Sequence, residues 1–173
     1  MGKRSDFERI PRDFYPTPEA AVLPLLSHLV PATRFHEPCA GDGALIAHLA
    51  KQGHICAEAG DVELRASGIE KRNALDLYYC KGDCFITNPP WDRKVLHPLI
   101  AQLSDIAPTW LLFDADWMHT KQSVPFRPRL LRIVSVGRVK WIPDSTMTGK
   151  DNCCWYLFGK PRHMDFVPFY GRT

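Results

Sequence analysis

At 173 residues and 45% hydrophobic content, the chain is long enough for one core that needs neither disulfides nor a metal to hold it. A net charge of +3 is too small to mark a nucleic-acid binder by itself, and the absence of a signal peptide or a membrane-length apolar run points to a cytoplasmic protein without a membrane partner. The six cysteines, Cys39, Cys56, Cys80, Cys84, Cys153 and Cys154, fall mainly inside apolar strands, so free thiols in a reducing compartment are expected.

Residues 1–12, with Lys3, Arg4, Arg9 and Arg12, are polar enough to form a flexible N-terminal segment, and residues 13–173 read as a single domain. A helix is expected from Pro18 to about Val30, capped by Thr17, with Pro18 in its first position and a kink at Pro24. Strands are expected at Arg34 to Glu37, Ile55 to Val62, Gly68 to Arg72, Cys84 to Thr87 and Thr109 to Phe113. Between the first two, Ala44 to Gln52 forms a helix stopped by Gly53. Leu131 to Val139 and Cys153 to Phe158, separated by turn-forming residues, read as a hairpin. Alternating strands and helices predict an α/β fold with a mostly parallel sheet covered on both faces.

Two segments carry chemistry. The first, Phe35-His36-Glu37-Pro38-Cys39-Ala40-Gly41-Asp42-Gly43-Ala44-Leu45, is a strand, a glycine loop and a helix start. Gly41 and Gly43 let the backbone approach a ligand, while Glu37 and Asp42 repel phosphate and attract an ammonium group. The second, Asn88-Pro89-Pro90-Trp91, follows the apolar run Cys84-Phe85-Ile86-Thr87 and places a polar side chain at a strand's carboxyl end, where ligands bind in open α/β sheets. The two prolines fix their own φ angles and remove two backbone donors. The Asn88 amide oxygen and the Pro89 carbonyl can therefore accept from one planar amino group, and Trp91 offers a face to a flat ring. Taken singly, each segment also fits an ordinary turn.

Together they resemble the class I S-adenosylmethionine-dependent methyltransferases, and more closely the small, phage-type DNA methyltransferases that act on the N6 amino group of adenine. That family's glycine loop, Glu-x-x-x-Gly-x-Gly, matches Glu37, Gly41 and Gly43, and its catalytic motif, Asp or Asn-Pro-Pro-aromatic, matches Asn88, Pro89, Pro90 and Trp91. The resemblance implies a Rossmann-like, seven-stranded sheet whose last strand is antiparallel, and S-adenosylmethionine as cofactor without a metal. It implies contacts to that cofactor from the Tyr15-Pro16-Thr17 segment, from Glu37, Pro38, Gly41, Gly43 and Asn88, from Asp61 at the ribose with Glu58 and Glu63 as rivals, and from Asn73, or Asp76, near the adenine. The chain departs from larger relatives in leaving no room for a separate target-recognition domain. The expected enzyme either reads a short or loose sequence or takes specificity from a partner subunit.

Between Trp117 and Pro143 the chain holds Lys121, Arg127, Arg129, Arg132, Arg138 and Lys140 without one acidic residue, a segment suited to phosphates or to a solvated strand face. With Asn88 and Trp91 it points to nucleic acid, DNA ahead of RNA. The same Asn-Pro-Pro motif also serves methyltransferases of RNA adenine and of protein glutamine, and a catalytically silent nucleic-acid-binding subunit is the non-enzyme alternative. Cys80 and Cys84 with His97 could be drawn into a zinc site, but no fourth ligand presents itself.

Overall fold

The computed structural model describes residues 14–142 and 149–161. The expected N-terminal segment, residues 143–148 between the last two strands and the C-terminal dozen lie outside them.

The sheet has seven strands, β1 (Arg34–Glu37), β2 (Ile55–Asp61), β3 (Glu70–Lys71), β4 (Cys84–Thr87), β5 (Thr109–Asp114), β6 (Leu130–Gly137) and β7 (Cys153–Phe158), in the order β3-β2-β1-β4-β5-β7-β6. Pairing is parallel from β3 across to β5, and β7 enters antiparallel between β5 and β6. Being antiparallel to the same strand, β5 and β6 point the same way. All four residues of β4 are buried, as an apolar run in the middle of a parallel sheet should be. The order reverses between β1 and β4, which opens a crevice at their carboxyl ends.

Helices α1 (Glu19–Leu26) and α2 (Ala44–Lys51) pack on one face with Phe35, Ile86, Trp110, Leu112 and Trp155. Helix α3 (Arg93–Ile106) packs on the other through Leu96, Leu99, Ile100 and Leu103, against Phe85, Leu111, Phe113 and Tyr156. Each such side chain contributes about 1.5–3 kcal/mol by leaving water. The indole of Trp155 donates to the Ala21 carbonyl at 2.7 Å, tying β7 to α1.

Two local expectations need correction. The first helix is shorter than the apolar pattern suggested and ends at Leu26, and its N-cap position is Pro18, with no side-chain cap. Thr17 does not cap it, because its hydroxyl is engaged by Asn88, a tertiary partner no local pattern reveals. The expected strand from Gly68 to Arg72 contracts to Glu70–Lys71 at the sheet edge. Residues Ala115–His119 and Lys121–Arg129 form 3₁₀ turns between β5 and β6.

Candidate active site

The glycine loop leaves β1 at Glu37 and enters α2 at Ala44. Gly41 and Gly43 have φ of 56° and 83°, the left-handed region that costs a side-chain-bearing residue free energy. Gly41 is also crowded: a Cβ there would stand 2.7 Å from the Phe14 ring. At Gly43 an added Cβ would meet only Ile69 at 4.0 Å, so within the protein that position is fixed by backbone conformation and not by crowding. The Asp61 carboxylate, at the end of β2, accepts from Gly41 N at 2.8 Å and from Glu63 N at 2.9 Å, and so binds two loops together.

These loops wall a cavity of about 650 Å³ at the carboxyl ends of β1, β2 and β4. Among its lining residues are Tyr15, Thr17, Glu37, Pro38, Gly41, Asp61, Asn73 and Asn88, eight of the nine expected cofactor contacts; Gly43, Glu58 and Asp76 are not. Glu63 lines it too, paired with Arg65. Glu58 lies elsewhere, bound by Arg72 and Tyr79 at 2.6 Å each and by Lys81 at 3.3 Å. Burial alone would raise its carboxyl, but hydrogen bonds from Tyr79 and Lys81, with the charges of His36 and Arg72, hold it below the usual carboxylate range. Of the three residues weighed for the ribose, Asp61 and Glu63 line the cavity and Glu58 does not. Asn73 accepts from Leu75 N at 3.1 Å as the cap of a short 3₁₀ turn.

Glu37 is 1% exposed, and its Oε2 has no hydrogen-bond partner. Burial, reinforced by the charges of Asp61 and Asp42, pushes its carboxyl well above the ordinary value. The thiol of neighbouring Cys39 is pushed up to about 12, chiefly by burial and then by Asp61, so it stays neutral. A buried carboxyl with an unpartnered Oε2 beside two left-handed glycines fits the amino-acid end of S-adenosylmethionine, whose ammonium would supply a donor and a compensating charge.

Asn88 leaves β4 as the cavity turns toward α3. Its Nδ2 donates to Thr17 Oγ1 at 3.2 Å and, more weakly, to the Tyr15 carbonyl at 3.4 Å, while its Oδ1 accepts from Trp91 Nε1 at 3.2 Å. The same indole N–H reaches the Leu112 carbonyl at 3.1 Å. Trp91 is half-buried, meets Trp141 edge to face at 5.6 Å, and does not line the cavity. Pro90 lines it; Pro89 is buried. Phe14, which opens the expected aromatic-Thr-Pro segment, lines the cavity as well, and Arg65, which had no place in the sequence reading, sets its guanidinium 4.1 Å from the Phe14 ring centroid.

The basic segment is dispersed. Because β6 runs with β5, Arg138 and Lys140 emerge at the edge that carries Asn88, whereas Arg127 and Arg129 precede Leu130, which aligns with Phe158 and, through it, with Thr109 at the start of β5. Arg129 is held by Asp105 at 2.5 Å and Ser104 at 3.0 Å; Arg127 reaches Ser123 at 3.4 Å, and Arg132 lies 3.2 Å from His28 on the α1 side. Lys121 is exposed next to Gln122, which bonds Arg93 at the start of α3 and so belongs with the Asn88 edge. Arg93 follows the Asn-Pro-Pro-Trp motif by two residues, a position that could have flagged it. Of the zinc alternative, His97 Nε2 accepts from the Trp117 indole at 2.9 Å, and burial pushes the Cys84 thiol up to about 12. Among the described residues no group of three or more His, Cys, Asp or Glu is placed to hold a metal.

No protein-family model matches the sequence, and no curated protein matches it by sequence. Solved structures do match the fold. The Pyrococcus horikoshii protein PH1948, described as a candidate RNA methyltransferase, superposes with a TM-score of 0.60 at 17% identity over 91% of this chain and 93% of its own. A dimethyladenosine transferase from Plasmodium falciparum gives 0.55 at 12% identity over 83% and 62%, and a SAM-dependent O-methyltransferase from Thermotoga maritima 0.50 at 13% over 94% and 70%. Their acceptors differ while the architecture is common, so the likeness speaks for the scaffold. The chain has the Rossmann-like fold of the class I methyltransferases, seven strands with an antiparallel C-terminal hairpin.

Proposed function

We propose that the chain transfers a methyl group from S-adenosylmethionine to the N6 amino group of adenine in a nucleic acid, with DNA put ahead of RNA on the resemblance to the small DNA adenine methyltransferases. The observation that carries this reading is the Asn88 amide on the wall of a cavity shared with the glycine loop and the Glu37 carboxyl, whose Oε2 is unpartnered. Glu37 and the loop would hold the amino-acid end of the cofactor, Asp61 and Glu63 its ribose, and Asn73 the adenine side. Bound there, the cofactor supplies an electrophilic methyl group on a sulfonium.

An exocyclic amino nitrogen is a poor nucleophile because its lone pair is delocalised into the ring. Asn88 Oδ1 and the Pro89 carbonyl accept from its two protons, draw the nitrogen toward tetrahedral geometry and aim the lone pair at the methyl carbon. Asn88 cannot serve as a base, and none is required. Methylation makes the nitrogen acidic enough to release its proton to water. The chain's contribution is position and fixed dipoles. The base has to leave the duplex stack, or be single-stranded, to reach Asn88. Trp91 and Trp141 offer it an aromatic surface, and Arg138 and Lys140 stand on the phosphate side of the same edge. Specificity for a longer sequence would come from a partner subunit.

The RNA reading draws support from the Pyrococcus protein and the dimethyladenosine transferase among the structural matches. The test is to incubate the protein and labelled S-adenosylmethionine with duplex DNA, single-stranded DNA, ribosomal RNA and a protein lysate, then digest each to its monomers. N6-methyldeoxyadenosine is the expected product. Label on ribo-adenosine alone moves the assignment to RNA, label on glutamine overturns the nucleic-acid reading, and cofactor binding without transfer to any polymer leaves the silent binding subunit.

A further inference from the structure

The hydrogen bonds around Asn88 assign a role to Trp91 that an aromatic face does not require. An amide side chain has two nearly isosteric orientations, and which one it adopts depends on its partners. Thr17 Oγ1, at 3.2 Å, can donate or accept and so selects neither. Two other partners are one-way. The Tyr15 carbonyl, 3.4 Å from Nδ2, can only accept, and the Trp91 indole N–H, 3.2 Å from Oδ1, can only donate. Together they leave one orientation, with the nitrogen toward the Tyr15-Pro16-Thr17 strap and the oxygen on the Trp91 side. The indole is itself located by the Leu112 carbonyl at 3.1 Å, from the buried neighbouring strand β5, and by the edge-to-face contact with Trp141.

We propose that Trp91 is a positioning residue, whose N–H holds the Asn88 amide with its oxygen presented to the acceptor. This inference rests on the adenine-methylating reading, since an amide presented the other way would offer N–H groups to an amino group that also donates. Flipping Asn88 in the native setting would set N–H against N–H at Trp91 and oxygen against oxygen at Tyr15. With the indole N–H removed, only the weaker Tyr15 contact disfavours the flipped amide, and the competent fraction falls.

Trp91→Phe deletes the N–H and keeps an aromatic ring. Replacement of Trp91 by benzothienylalanine, in which sulfur takes the place of the N–H, deletes it at nearly constant shape and so separates orientation from packing. Both variants are expected to lower kcat about tenfold, the loss of roughly one net hydrogen bond, with unchanged cofactor affinity and acceptor KM. A stacking role alone predicts wild-type kcat in the benzothienylalanine protein, and that result overturns the proposal. The side-chain NH₂ signals of Asn88 provide a readout independent of turnover: one sharp pair in the native protein, shifted or doubled in the sulfur variant. If the native protein methylates no polymer, the proposed function fails on its own, whereas an unchanged NH₂ pair in the sulfur variant overturns the positioning role.

Discussion

Asn88 is the residue at which the Tyr15–Thr17 segment, the end of β4 and the Trp91 indole meet, and on the proposed function its replacement should separate catalysis from binding. Asn88→Ala removes one oriented polar group from the reacting nitrogen and should lower turnover by about 100-fold or more. The cofactor dissociation constant, measured by calorimetry, should change little, because Glu37 and the glycine loop remain. Glu37 predicts a dependence on pH. Folding raises its carboxyl pKa, so the ligand-free protein keeps its full stability below the ordinary carboxylate range and loses part of it as pH climbs toward the raised folded-state value. Glu37→Gln should flatten that decline in thermal unfolding scans taken upward in pH from the ordinary carboxylate range. Cofactor affinity in the native protein should rise over the same window, since the ionised carboxylate is the form that attracts an ammonium group. The glycine turn after β1 was readable in the sequence, and Glu37 was singled out through the family resemblance, but its electrostatics were not legible: the charges of Asp61 and Asp42 act on Glu37 through the fold. Thr17 shows the limit more sharply. Thr-Pro-Glu is a plausible helix start, yet the Thr17 hydroxyl faces Asn88, 71 residues away.

Among the elements, strands β1, β4 and β7 were legible to the residue: β4 and β7 are apolar or aromatic runs bounded by turn formers, and β1, Arg-Phe-His-Glu, was placed by the glycine loop that follows it. The longest helix, α3, was not. His97-Pro98 reads as a break, and the segment opens with two basic residues where acidic ones are expected, directly after a Pro-Pro turn. In the folded chain Pro98 sits on the exposed side, while Leu96, Leu99, Ile100 and Leu103 bury the other. What starts the helix is Asp92, whose carboxylate accepts from Lys94 N at 3.0 Å. Asp92→Ala should cost about 1 kcal/mol, seen as a lower urea midpoint at unchanged slope, and Asp92→Asn should recover most of it. The bounds of β3 were set too wide, since two residues leave no alternation to read, and the 3₁₀ turns before β6 escaped detection because a turn of three per repeat leaves no helical periodicity.

For the molecule as a whole, the distribution of charge matters more than its sum of +3. A run of six basic residues in sequence became two groups in space, since the chain crosses the full length of the sheet between Lys121 and Lys140. Reversing Arg138 and Lys140 to Glu should weaken nucleic-acid binding for all sequences alike and reduce the slope of log K against log salt by up to about 2, the contribution of two phosphate contacts. Arg129→Glu should leave that slope unchanged and lower stability instead, because Arg129 is only 16% exposed and would set a carboxylate against Asp105. Filter binding across a salt series, with thermal unfolding of each variant, distinguishes the two groups.

The insertion of β7 between β5 and β6 bears on how the chain comes to be folded during synthesis. β6 pairs with β7 alone and β5 with β4 and β7, so residues 130–137 have no strand to join until residues 153–158 have been made. A nascent chain that has emerged only as far as β6 holds the five strands β1 to β5, an open β5 edge and an unpaired β6, all at once. Completion of the sheet is thus a late event driven by a six-residue strand of Cys-Cys-Trp-Tyr-Leu-Phe, arriving into a slot between two parallel neighbours. Ribosome-bound intermediates stalled before that strand would present the same open edges that promote association between chains, and their lifetime, set by translation through residues 138–158, governs how much chaperone protection the nascent protein needs.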